Sequence, residues 1–198
     1  MLLYLQVKMK IIEIIKSDLQ SFKSYPDIKC INKNVGILFF IKALLDIDFR
    51  AIFMYRVSCA LISIGMKKIG ILLYYRLKSA HSLDISPYAK VGSGLKIIHA
   101  FNIVIGPGVT IGKHCVLFNS ITLGNSHPGW KQNDNQKKEM PIIGDRVVLC
   151  PGSRIVGSVV LADDVFVGTN SVVLTNIPSC ETWAGIPARK ISNNKFCE

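Results

Sequence analysis

From residue 105 onward the chain repeats with a period of six, a step that few backbone arrangements can satisfy. Ile105, Ile111, Leu117 and Leu123 keep that step, and after an interruption Ile143, Leu149, Ile155, Leu161, Val167 and Val173 resume it. Glycine directly follows the aliphatic at Gly106, Gly112, Gly124, Gly144 and Gly168. Four residues after nine of these ten aliphatics stands a small or branched residue: Val109, Cys115, Ile121, Val147, Ser153, Val159, Val165, Ser171 and Ile177. Six matches neither the 3.6-residue turn of a helix nor the two-residue alternation of a flat strand. It matches a triangular coil. Each hexapeptide then supplies one short strand, its aliphatic pointing inward and its glycine easing the corner. Three hexapeptides make a coil, and coils stack through parallel hydrogen bonds. Ile85, Val91 and Ile97 hold the same step before a two-residue slip near Ile103. The predicted fold is therefore mainly β, a parallel β-helix of hexapeptide repeats.

Between Leu123 and Ile143 the register opens to 20 residues where six are expected. The excess, about residues 125–140, is polar and rich in Asn, Lys and Gln, and is expected to protrude as a loop. A strict repeat needs no such interruption for its own stability, which points to a functional loop.

Before residue 84 the period is helical. Ile11, Ile12, Ile15, Leu19 and Phe22 fall on one helix face, and Pro26 ends that segment. Apolar stretches at 35–45, 49–64 and 69–77 follow, with Gly65 and Gly70 as punctuation. The expected division is a helical region at 1–83, the β-helix at 84–191 and a tail at 192–198. No apolar stretch approaches the roughly 20 residues that cross a bilayer, and residues 1–10 lack the ordering of a signal peptide.

The net charge is +11, and through residue 84 the chain carries 13 basic against 6 acidic residues. Such a balance favours an anionic partner. With no nucleic-acid reader motif, nucleic acid is not expected. The helices suit packing on the β-helix or on another subunit. Equally, they suit peripheral membrane contact, with Arg56, Lys67, Lys68 and Arg76 facing anionic headgroups. Six scattered cysteines without metal-ligand spacing argue against a zinc site and for a reducing cytosol. Cys115 and Cys150 fall in the hexad pattern and read as buried structural thiols. The expected location is cytoplasmic, at the inner face of the membrane if the helices touch lipid.

Among four histidines, His99 and Asp84 lie 15 residues apart, close to one coil. That spacing would set a carboxylate beneath or beside an imidazole, where it fixes the tautomer and leaves the other ring nitrogen as a base. His81 and His114 are assigned no role. A zinc-dependent hydratase needs three convergent histidines, and only His99 and His114 lie in the coils; no metal is expected.

Asp84-Ile85-Ser86-Pro87, Ile98-His99-Ala100, Ser120-Ile121-Thr122-Leu123-Gly124 and Ala184-Gly185-Ile186-Pro187-Ala188-Arg189 resemble the serine acetyltransferase family of left-handed β-helix acyltransferases. The resemblance covers about residues 13–191 and is weakest in the helices. It implies an enzyme that forms trimers, with acetyl-CoA as co-substrate in a groove between neighbouring β-helices. It also implies that His99 acts as general base, oriented by Asp84, in direct transfer without an acyl-enzyme. Gly152, Ser153 and Arg154, with Gly185, Ile186, Pro187, Ala188 and Arg189, match segments that line the CoA channel.

Three positions depart from the serine pattern. Ile98 replaces an Asp before the histidine, Glu139-Met140 replace Arg-His before Pro141, and Pro26-Asp27 replaces Asp-Pro. The missing groups would hold an amino acid's charged ends. With a longer loop and shorter helical region, the chain looks like the branch that acetylates sugars of surface polysaccharides, as in colanic acid. The expected acceptor is therefore a glycan hydroxyl, with L-serine as the alternative. His127 and Trp130 on the loop are the expected acceptor contacts, Trp130 by stacking on a sugar ring.

Overall fold

The structure is a computed structural model and describes residues 2–23, 37–125 and 140–194. Four helices come first: α1 (Leu2–Lys23), α2 (Ile37–Leu45), α3 (Ile47–Ser63) and α4 (Lys67–His81). Asp46 caps α3, its Oδ1 accepting from the N–H groups of Asp48 and Phe49 at 2.8 and 3.2 Å. The turn after α3 contains Gly65 at φ +92°. Gly70, expected to break a helix, instead lies within α4. A Cβ there would come within 2.6 Å of Ile62 and 2.9 Å of the Ser58 carbonyl. Its bare surface is what lets α4 press against α3.

The strands form three parallel faces. The first holds β1 (Leu83–Ile85), β4 (Ile103–Ile105), β7 (Thr122–Gly124), β10 (Arg154–Val156) and β13 (Val172–Val173). In the second are β2 (Lys90–Val91), β5 (Thr110–Ile111), β8 (Ile142–Ile143) and β11 (Val160–Leu161). The third comprises β3 (Lys96–Ile97), β6 (Val116–Leu117), β9 (Val148–Leu149), β12 (Phe166–Val167) and β14 (Glu181–Gly185). There β15 (Ala188–Asn193) turns back antiparallel on β14 and closes the end.

Each inward aliphatic of the six-residue register is buried, from Ile105 through Val173, and so is every member of the companion series from Val109 to Ile177. Ile85 and Ile105 are directly paired, so the slip near Ile103 is taken up in the longer corner at 98–102. The interrupted stretch leaves from the corner between the first and second faces, after β7 and before β8. Its residues 126–139, with His127 and Trp130, lie outside the described residues.

α1, α2 and α4 all pack on α3, and α1 and α3 reach the first coil. Arg56 of α3 is buried against Asp18 of α1, with Nε 2.8 Å from Oδ2. It also donates to the carbonyls of Val91 and Gly92 at 2.8 and 2.6 Å. Arg56 is thus an internal clamp and cannot face lipid headgroups as expected; its partners lie far along the chain, where helical periodicity carries no signal. No helix among the described residues is long and apolar enough to cross a membrane.

Candidate active site

The corner between the third and first faces repeats one backbone turn on every coil, as does the corner between the second and third faces. Asn102, Ser120, Gly152 and Asn170 take left-handed conformations at φ +54°, +60°, +74° and +55°, a region that costs ordinary residues free energy. They occupy the same place on successive coils. Ser120 donates its N–H to the Phe101 carbonyl, Gly152 to Asn119 and Asn170 to Pro151, at 3.0, 3.0 and 2.8 Å. A Cβ on Gly152 would lie 2.0 Å from Asn170 Oδ1, so any larger residue there would have to displace the Asn170 side chain.

His99 stands on the first rung of this edge, exposed, itself at φ +56°. Its backbone N–H donates to Asp48 Oδ2 at 2.9 Å, and that of Ala100 to Asp48 Oδ1 at 2.7 Å. Asp48 belongs to the first turn of α3. Sequence reading did not find it. The Asp46-x-Asp48 pattern signals a helix start, but its partner lies 51 residues away.

Asp84 sits on β1 beneath Val104 of β4. Its carboxylate takes hydrogen bonds from the Tyr74 hydroxyl and from Lys78 Nζ, the latter at 2.6 Å. Burial works to raise its pKa, but the bonds from Lys78 and Tyr74 outweigh that and hold it below the ordinary carboxylate value. Burial and then Asp84 push the Tyr74 hydroxyl the other way, well up. No hydrogen bond joins Asp84 to His99 in the single chain. The expected carboxylate–imidazole pair is therefore unmade, because α4 supplies donors that the spacing of 84 and 99 does not reveal.

The segments expected to line a cofactor channel do come together. Gly152, Ser153 and Arg154 turn the same corner two coils above His99. Ser171, one coil further, accepts the Gly185 N–H on Oγ at 3.1 Å. At about 4.8 Å per coil, the edge from His99 to Gly185 runs roughly 20 Å. Arg154, Ile186, Pro187 and Arg189 are exposed along it. Two residues need correction. Ser153 is fully buried with Oγ unpartnered, and Ala188 is buried as well. Both are inward positions of the coil, so their side chains cannot touch a ligand. Arg154 leans on Thr122 Oγ1 at 3.3 Å, and Arg189 on the carbonyl of Ala188 at 2.9 Å.

Other candidates fall away from this edge. His114 lies on the corner between the second and third faces. Cys115 is fully buried, and burial pushes its thiol up to about 12; Cys150 is half-buried and raised by the same cause. Neither is a nucleophile. Trp183 packs on the core and donates Nε1 to Glu181 Oε2 at 2.7 Å. Met140 is buried in the core rather than placed in a pocket.

Comparison with known proteins gives consistent results. The serine acetyltransferase of Buchnera aphidicola subsp. Acyrthosiphon pisum (strain APS) is 38% identical over 144 residues, 73% of this chain and 51% of that protein. That of Helicobacter pylori (strain J99) is 34% identical over 113 residues, 57% of this chain and 63% of that protein. The chain spans about half to two thirds of the length of these relatives. Among solved structures, a serine acetyltransferase in complex with cysteine superposes with a TM-score of 0.79 at 27% identity, over 98% of this chain and 70% of that one. A serine acetyltransferase in complex with CoA gives 0.76 at 27% identity, over 95% and 72%. No protein-family model matches the chain.

The relatives are named serine acetyltransferases, and this overturns the expectation of a glycan acceptor. That expectation treated three altered positions as a lost charge pattern. Met140 proves to be core, Pro26, Asp27 and Glu139 lie outside the described residues, and a carboxylate stands against the His99 backbone although residue 98 is Ile.

Proposed function

We propose that this chain, which by sequence and fold groups with the serine acetyltransferases of the hexapeptide-repeat class, transfers an acetyl group from acetyl-CoA to the hydroxyl of L-serine. The observation that carries the reading is His99, an exposed imidazole at the foot of the one corner whose upper rungs hold Gly152, Arg154, Ile186 and Arg189. In this reading His99 removes the serine hydroxyl proton as the oxygen attacks the thioester carbonyl. The new C–O bond forms, the C–S bond breaks, and the proton held by His99 passes to the departing sulfur, leaving O-acetylserine and free CoA.

Arg154 and Arg189 suit the phosphates of the co-substrate, and exposed Ile186 suits its uncharged arm. A homotrimer fits the same picture.

The test is release of CoA thiol from acetyl-CoA on adding L-serine, with L-alanine as the hydroxyl-free control. His99→Ala is expected to lower kcat by about 10²–10⁴-fold. A wild-type protein that releases no thiol with L-serine, or a His99→Ala variant as fast as wild type, overturns the reading.

A further inference from the structure

At the corners of the β-helix each coil donates N–H groups to carbonyls of the coil before it: His114 to Ser93, Ser120 to Phe101, Arg146 to Lys113 and Gly152 to Asn119. The first coil has no coil before it. Its corner N–H groups must find acceptors elsewhere, since a backbone donor left unpaired is costly. Two helical carboxylates supply them. Buried Asp18 accepts the Leu95 N–H at 2.9 Å, and Asp48 accepts both His99 and Ala100 at the next corner.

The roles of the two carboxylates differ. Asp18 is neutralised by Arg56 and serves the core. Asp48 makes no ion pair at contact distance among the described residues, with Lys96 acting on it only through its field, and it grips the peptide that carries an exposed imidazole. His99 is a non-glycine residue at φ +56°, and such a conformation persists only where its surroundings over-determine it. Ionised acceptors make the stronger class of hydrogen bond, and two of them fix the plane of a peptide.

We infer that Asp48 is a positioning residue for His99. The first turn of α3 thereby stands in for the missing coil, and the helical region sets the direction in which the imidazole projects. The inference rests on His99 being the base.

Asp48→Ala and Asp48→Asn separate this from a purely structural role. In Asp48→Ala, kcat with L-serine is expected to fall by about 10–100-fold, the scale of a misplaced catalytic group. KM for L-serine and acetyl-CoA should stay within about threefold, because no binding group is lost. Asp48→Asn keeps one acceptor oxygen and should fall between. An unchanged kcat overturns the inference. So does a rise in KM at constant kcat, which would make Asp48 an acceptor-binding group instead.

Hydrogen exchange read residue by residue supplies a measurement independent of turnover. The His99 and Ala100 amides should exchange at least about tenfold faster in Asp48→Ala than in wild type; equal rates overturn the inference. Should Asp48→Ala fail to fold, isosteric Asp48→Asn carries both readouts. Failure of wild type to acetylate L-serine would count against the proposed function, whereas the exchange rates would still report on Asp48.

Discussion

The coils and the helices hold together in opposite ways. In the coils the same contact recurs: an aliphatic at every sixth position, a ladder bond from each strand to the next coil, and a left-handed residue on each rung of one corner. Among the described helices, long-range polar contacts to the β-helix are few and unrelated to one another. Arg56 with the carbonyls of Val91 and Gly92, Asp18 with the Leu95 N–H, Asp48 with the His99 corner, Lys96 with the carbonyls of Ser21 and Phe22, and Tyr74 and Lys78 with Asp84 make up much of that boundary. Repetition spreads stability over many equivalent sites. A boundary made of single contacts concentrates it, and at Asp48 that concentration coincides with the candidate base.

Breaking the clamp should have the larger effect. Arg56→Ala leaves Asp18 buried and uncompensated, and is expected to cost about 3–5 kcal/mol in urea unfolding. A loss below about 1 kcal/mol would mean that solvent reaches the pair.

A single truncation inside the coil sharpens the contrast. Leu149→Ala, at a fully buried position of the third face, should cost about 2–5 kcal/mol through lost contacts and a cavity. Because the site's backbone is fixed by neighbouring coils, serine turnover of the folded variant should match wild type. Loss of turnover without loss of stability would contradict that division.

The smallest effect is pH-dependent. The Asp84 carboxyl is held below its ordinary value of 3.8 by Lys78 and Tyr74, against the opposing effect of burial. A depressed folded-state pKa stabilises fully above the unfolded value and loses that contribution as pH falls through the folded one. Wild type should therefore exceed Asp84→Asn in stability by a constant margin above about pH 4, and the margin should shrink in more acid solution. For a pair this exposed it should not exceed about 1 kcal/mol. A margin that grew with acid would reverse the assignment.

The sequence by itself determined the β-helix, because a period of six acts locally: each aliphatic reports its own inward position whatever lies elsewhere. Ile105 through Val173 could be placed residue by residue. His99 was singled out by its motif as the candidate base. The acceptor was misjudged from it, since substitutions at 98 and 140 say nothing of which other side chains reach the same space.

Only the tertiary structure decided what Arg56, Asp48 and Asp84 do. Their partners lie up to 52 residues away, and their contacts depend on how α1, α3 and α4 seat on the first coil. Ser153 is the opposite case: its place in the six-residue companion series already set it inward, beside an exposed Arg154. Periodicity fixes which residues face inward along an element. The seating of one element on another is a collective outcome of packing, and it alone sets a carboxylate beneath His99.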